Sequence, residues 1–244
     1  MAKQKRGTRS ILFDAPPILT AWASVAGKKE SEGPLQAYFD YTNGDTYFGE
    51  KTWEKAECHM QEIALETLLQ KAGKKKQDVD LVFSGDLLNQ CISSSFSLRN
   101  TGLPALGLYG ACSTMGESLL LASMAVSGGF ADQAVAMTSS HFASSERQYR
   151  YPLGYGGQRS PTAQWTVTGS GAALVCSKGD GPFVEAATVG TIVDLGITDA
   201  NNMGAAMAPS AFETIRSHFD DLGAAPEDFD LIVTGDLGKV GKEI

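Results

Sequence analysis

The stretch Asp80-Leu81-Val82-Phe83-Ser84-Gly85-Asp86-Leu87 returns later in the chain as Asp230-Leu231-Ile232-Val233-Thr234-Gly235-Asp236-Leu237. In each copy a short apolar run ends at Gly-Asp, which reads as a buried strand closed by a turn. Each copy follows a helix-like segment carrying Glu-Thr (Glu66-Thr67, Glu213-Thr214) and stopping near a glycine (Gly73, Gly223). A strand-like segment precedes each of these helices. Strand, helix, strand and a Ser/Thr-Gly-Asp-Leu turn, used twice, point to an α/β protein of two homologous halves around a pseudo-twofold axis. Asp80 and Asp230 stand 150 positions apart, so the counterparts of residues 101–180 fall beyond the 244th residue. The expected domains are therefore a first half at residues 1–180, carrying Cys112, and the incomplete start of a truncated second half at 181–244.

Cys112 lies in the next informative stretch, Leu103 to Ser127. Leu103, Ala105, Leu106, Leu108 and Tyr109 predict a buried strand, Gly110-Ala111 a tight turn, and Met115, Leu119, Leu120, Ala122 and Met124 a core helix. Cys112 is then held at a helix N-terminus, where unpaired N–H groups and the helix dipole favour negative charge. Three readings stand for it: an activated nucleophile, part of an anion-docking point, or a packed core thiol.

Further segments follow from spacing. Ala56, Met60, Ile63, Ala64 and Leu68 predict a helix over 53–71, and another is expected over 87–99. Strands are expected at 79–83, 134–137, 165–175, 183–193 and 229–233, a helix at 211–222, and a frayed basic tail at 1–9. Residues 144–162 concentrate Arg147, Arg150, Arg159, Tyr149, Tyr151 and Tyr155 in an otherwise acidic chain. They read as a loop that lines a site, or as a surface loop whose arginines pair with local acids.

Composition removes several function classes. A net charge of -8 argues against nucleic acid as a partner. Four cysteines without a Cys-x-x-Cys pair, beside three histidines, predict no metal site, and no cofactor is expected. No apolar run reaches the roughly 18 to 20 residues that span a bilayer.

Several motifs carry a resemblance along nearly the whole chain. They include Gly85-Asp86-Leu87-Leu88-Asn89-Gln90, Gly110-Ala111-Cys112-Ser113-Thr114, Thr138-Ser139-Ser140-His141, Glu146-Arg147-Gln148 and Arg150-Tyr151-Pro152. Tyr155-Gly156-Gly157-Gln158, Thr168-Gly169-Ser170-Gly171-Ala172, Asp194-Leu195-Gly196-Ile197-Thr198-Asp199, Ala206-Met207-Ala208-Pro209 and Thr234-Gly235-Asp236-Leu237 continue it. Through these the chain resembles the thiolase fold of thiolases and ketoacyl synthases. Within that fold it resembles the stage V sporulation protein AD family, whose chains are longer and complete the second half. The resemblance implies a dipicolinic acid-binding accessory protein for uptake of dipicolinate, with calcium, into the developing spore. It also implies a forespore or spore location, peripheral on the inner membrane, with other stage V sporulation A membrane proteins as partners. A homodimer along a central strand follows from fold-level analogy.

The thiolase-type mechanism needs second-half partners for its cysteine, two histidines or a histidine and an asparagine. By strand-end register Gly235 occupies the place of one histidine, and the next residue, Asp236, opposes charge on an oxyanion. The expectation is a catalytically inactive relative with no catalytic residues. The alternative is an acyltransferase or ketoacyl synthase-like enzyme using Cys112 as nucleophile. For a dianionic ligand, one carboxylate would dock at the helix N-terminus beside Cys112 and an arginine (Arg147, Arg150 or Arg159) would clamp the other. Tyr155 or Tyr151 would stack on the ring and His141 would donate a hydrogen bond. Asp86 and Asp236 either join this site or cap helices after their turns.

Overall fold

A computed structural model describes residues 4–149, 165–199 and 202–243. In chain order the strands and helices are β1 (Lys5–Arg6), β2 (Ser10–Leu12), β3 (Ile18–Ala26), β4 (Tyr41–Thr42) and α1 (Trp53–Ala72). Next come β5 (Leu81–Gly85), α2 (Ile92–Leu98), β6 (Ala105–Leu108), α3 (Thr114–Ser127), β7 (Gln133–Ser140) and α4 (Phe142–Tyr149). The chain continues through β8 (Gly169–Cys176), β9 (Ala186–Thr188), α5 (Met203–Leu222) and α6 (Gly238–Glu243). It divides into two compact units, Ala15–Gly156 with Thr166–Val184, and Met1–Asp14 with Gly157–Trp165 and Glu185–Ile244.

The first unit is built on a six-stranded mixed sheet in the order β4-β3-β8-β7-β5-β6. Successive side chains of a strand point to opposite faces, and the core divides accordingly. Val82, Val135, Met137 and Leu174 pack with Met60, Leu65 and Leu68 of α1. Phe83, Ala134, Ala136 and Val175 pack with Ala122, Ala125 and Val126 of α3. β5 runs parallel to both β6 and β7, so the three C-terminal strand ends open on the same edge. In open α/β sheets that edge is where ligands bind.

The second unit holds a three-stranded sheet, β1-β2-β9, with α5 and α6. Residues 4–9 are not a frayed tail. The Asp221 carboxylate of α5 accepts the backbone N–H of Thr8 (2.8 Å), Arg9 (2.9 Å) and Ser10 (3.0 Å). These bonds hold its carboxyl well below the usual range, and the Arg9 guanidinium donates to Ser217 and Thr191.

The repeat is visible in local structure at the same 150-residue offset. Helices α1 and α5 are each 20 residues long and are capped by Thr52 and Asn202, which accept from Lys55 N and Ala205 N. Both end at a left-handed glycine, Gly73 (φ 62°) and Gly223 (φ 65°), where the missing Cβ removes the steric penalty. A short 3-10 turn follows each, Lys76–Asp78 and Pro226–Asp228.

Several expectations change. Helix α5 starts at Met203 rather than near 211, because Asn202 caps it and Pro209 is carried inside it. The run 229–233 forms no strand: Leu231 and Val233 are exposed, and no described strand pairs with it. β6 is an edge strand rather than a buried one, with Leu106 52% exposed. Helix α2 is confined to Ile92–Leu98, and α4 occupies the first part of the expected 144–162 loop. The strand expected over 183–193 shortens to β9.

Candidate functional site

The Cys112 turn is assembled by β6, a single 3-10 turn over Ala111–Ser113, and α3. Ala111 is left-handed (φ 49°), a conformation that costs a residue with a Cβ about 1 kcal/mol or more. Ser113 pays part of that back by donating its hydroxyl to Gly110 O (2.7 Å), and Thr114 Oγ1 donates to Ala111 O (2.8 Å). Below the turn, Gly85 leaves no room for a Cβ against the Leu108 carbonyl and the Thr114 methyl, so β5 and α3 approach closely. Cys91 Sγ donates to Leu108 O at 3.1 Å and ties α2 to the end of β6. Of the four cysteines Cys112 alone is exposed.

The N-terminal turn of α3 already has an anion beside it. Glu117 folds back on Gly110, its Cδ 3.4 Å from where a Cβ would stand. A ligand carboxylate placed next to Cys112 therefore shares the helix end with Glu117, which the sequence reading did not foresee.

Two expected ligand donors are turned inward. His141 is buried; its Nδ1 accepts the Ala143 N–H at 3.1 Å, so Nε2 carries the proton and donates to Thr46 O at 2.8 Å. Burial pushes the imidazole below its ordinary value. Both ring nitrogens are therefore engaged, one at the head of α4 and one on Thr46 O. Asp86 is fully buried and accepts from Leu88 N (2.9 Å), Ser94 N (2.8 Å) and Ser94 Oγ (2.8 Å). It ties the 86–88 turn to the first turn of α2.

Arg147 lies on the exposed side of α4, ion-paired with Glu54 and with its guanidinium carbon 5.6 Å from the Trp53 ring centroid. Tyr47 stacks on that ring at 5.9 Å. Gln148, the next residue, accepts the Asn89 N–H at 3.1 Å. Asp236 belongs to the second unit and accepts Gly238 N at 2.8 Å, just before α6. Arg150, Tyr151, Tyr155 and Arg159 lie outside the described residues.

The sequence reading missed a buried polar network behind these strand ends, comprising Glu57, Gln61, Ser94, Ser97, Ser139 and Ser144. The signal was a polar pair one turn apart, Glu57 and Gln61, flanking the apolar stripe Ala56-Met60-Ala64. A cleft of about 190 Å³ lined by Gln61, Leu65, Lys76 and Thr101 adjoins this network, and one of about 520 Å³ is lined by Lys71, Lys74 and Lys178.

The profile of a family described as stage V sporulation protein AD matches residues 7–244. The stage V sporulation protein AD of Bacillus subtilis (strain 168) is 46% identical over 238 residues, covering 98% of this chain and 70% of that protein. Among solved structures, 3-oxoacyl-(acyl carrier protein) synthase III of Xanthomonas oryzae superposes with a TM-score of 0.62 at 16% identity, over 96% of this chain and 81% of that one. Cerulenin-bound OleA of Xanthomonas campestris gives 0.62 at 13% identity, over 95% and 78%. At such identities the likeness carries the fold and not the activity.

Proposed function

Because the chain belongs to the stage V sporulation protein AD family and has a thiolase-like fold, we propose that it is a catalytically inactive, dipicolinate-binding accessory protein. It serves uptake of dipicolinate, with calcium, into the developing spore. The observation that supports this reading best is the disposition of the chain's three histidines. His141 has both ring nitrogens engaged, His59 Nδ1 stands 3.2 Å from Phe48 O, and His218 Nδ1 stands 2.8 Å from Thr188 Oγ1. Each has a local structural partner, while the register of the sequence repeat puts Gly235 where a condensing enzyme needs a base.

In this reading the exposed Cys112 turn receives one ligand carboxylate, and Arg147 exchanges Glu54 for the other. A guanidinium matches a carboxylate in a two-pronged way. Arg150 and Tyr155 are further candidates for ligand binding. The partners are other stage V sporulation A membrane proteins, and the place is the spore inner membrane, held peripherally. None of the described helices is long and apolar enough to cross a membrane. A second copy of the chain pairs along β6, whose open edge exposes Leu106 and Tyr109.

Calorimetric titration with dipicolinate tests the reading. Saturable binding weakened by Cys112→Ala and by Arg147→Ala is expected, and no binding by the folded protein overturns it. The competing acyltransferase reading rests on the exposure of Cys112. It requires an acyl adduct on Cys112 from an acyl thioester, seen by intact mass.

A further inference from the structure

Glu57 and Gln61 are fully buried one turn apart on α1. Ser139, near the end of β7, donates its hydroxyl to Glu57 Oε1 at 2.9 Å. Gln61 Nε2 shares its two protons among Ser139 Oγ (2.8 Å), Ser94 Oγ (3.2 Å) and Gly85 O (3.3 Å). Ser97 donates to Gln61 Oε1 at 2.7 Å, and Ser94 spends its own proton on Asp86. The donors thus run one way, from Ser97 through Gln61 and Ser139 to Glu57. None of the ion pairs among the described residues includes Glu57.

The remaining contact is ambiguous in direction, and that ambiguity matters. Ser144 Oγ, in the first turn of α4, stands 2.9 Å from Glu57 Oε2 and 3.1 Å from His141 O. A hydroxyl has one proton. If Glu57 is ionised, Ser144 gives that proton to the carboxylate. If Glu57 is neutral, its own O–H donates to Ser144 Oγ, and Ser144 is free to donate to His141 O and close the first turn of α4.

The titratable groups on the packed elements favour the neutral acid. On α1 itself the Cys58 thiol is pushed up to about 11, chiefly by burial. The β5–α2 turn brings the carboxylate of Asp86, and the head of α2 brings Cys91. His141, at the end of β7, is pushed toward its neutral form. On α4, Glu146 accepts from Thr166, and Arg147 is paired with Glu54. β8 contributes only Cys176, at the opposite end of the sheet, and β3 contributes none. Burial first, and the charge of Asp86 second, push the Glu57 carboxyl up to about 7.

We propose that Glu57 is a proton-operated latch on the first turn of α4: the neutral acid donates to Ser144 and leaves the Ser144 proton for His141 O, which closes the turn, and the buried carboxylate takes that proton away from His141 O and opens it. Resting on the dipicolinate reading, the latch also sets how firmly Arg147 is presented, because Arg147 is one turn further along α4.

Hydrogen exchange of the α4 amides in the ligand-free protein tests the latch without involving dipicolinate. After correction for the intrinsic pH dependence of exchange, protection over 142–149 is expected to fall about tenfold between pH 6 and pH 8 as the acid ionises. Glu57→Gln keeps a donor toward Ser144 and has no proton to lose, so its α4 protection stays level. Unchanged protection in the wild type, or the same fall in Glu57→Gln, overturns the proposal. Should Glu57→Gln fail to fold, pH-difference infrared spectroscopy of the wild type decides. A neutral carboxylic acid band present at pH 6 and lost by pH 8 is expected, and its absence at pH 6 overturns the latch.

Discussion

Replacing Gln61 with leucine removes the hub of the buried network while keeping a side chain of similar length. Three hydrogen bonds are lost: the two protons of Nε2, shared among Ser139 Oγ, Ser94 Oγ and Gly85 O, and the one bond accepted by Oε1. At about 1 kcal/mol net each, they set a ceiling of about 3 kcal/mol. The ceiling is not reached, because the serine hydroxyls keep other acceptors. Ser94 retains Asp86, Ser139 retains Glu57, and Ser97 turns to Ser94 O at 3.1 Å. The expected loss for Gln61→Leu is therefore about 2 kcal/mol, read from urea unfolding at pH 7 followed by circular dichroism. Gln61→Glu is expected to cost more, because it adds a third buried carboxyl beside Glu57 and Asp86 without a cation. A Gln61→Leu protein as stable as the wild type, or Gln61→Glu milder than Gln61→Leu, would refute the reasoning.

The Glu57 carboxyl, raised from an ordinary 4.5 to about 7 by burial, binds a proton in the folded chain that the unfolded chain has already released. Stability is then highest below pH 4.5 as far as this group is concerned, and falls by about 3 kcal/mol as pH rises through 7; urea unfolding at pH 5 and pH 8, compared with Glu57→Gln, checks the slope. Asp221→Asn takes the anion away from the N–H groups of Thr8, Arg9 and Ser10, so limited proteolysis within residues 4–12 is expected to accelerate. The Asp221 carboxyl is held low, so its contribution is present above pH 3.8 and is lost as pH falls below it. Leu106→Lys, on the open edge of β6, is expected to leave the fold intact and to shift a dimer to monomer in sedimentation velocity, since a charge on an edge strand opposes pairing.

Repetition was the most legible feature of the sequence, because it needs only local rules. The caps Thr52 and Asn202, the stop glycines Gly73 and Gly223 and the following 3-10 turns depend on neighbours a few residues away. The position of Cys112 between a strand and a helix was legible for the same reason. What pairs with what was not. Leu103–Tyr109 and Phe229–Val233 are both short apolar runs, yet one became an edge strand and the other formed none, because a ladder needs a partner from elsewhere in the chain. Polar residues at strand ends have structural partners that the sequence does not display. Asp86 and His141 have the chemistry of ligand donors, but the backbone N–H groups of α2 and α4 claimed them first. Glu57 and Gln61 escaped notice because polar residues on an amphipathic helix normally face water.

Alkylation of Cys112 in the presence of dipicolinate measures the central claim most directly. The other three cysteines are buried or partly so, which lets mass spectrometry of the intact protein and its peptides follow Cys112 by itself. If dipicolinate occupies the turn, the alkylation rate of Cys112 falls saturably with dipicolinate concentration, and no acyl adduct forms with an acyl thioester. A rate that stays constant at every dipicolinate concentration, or an acyl group transferred to Cys112, would contradict the account.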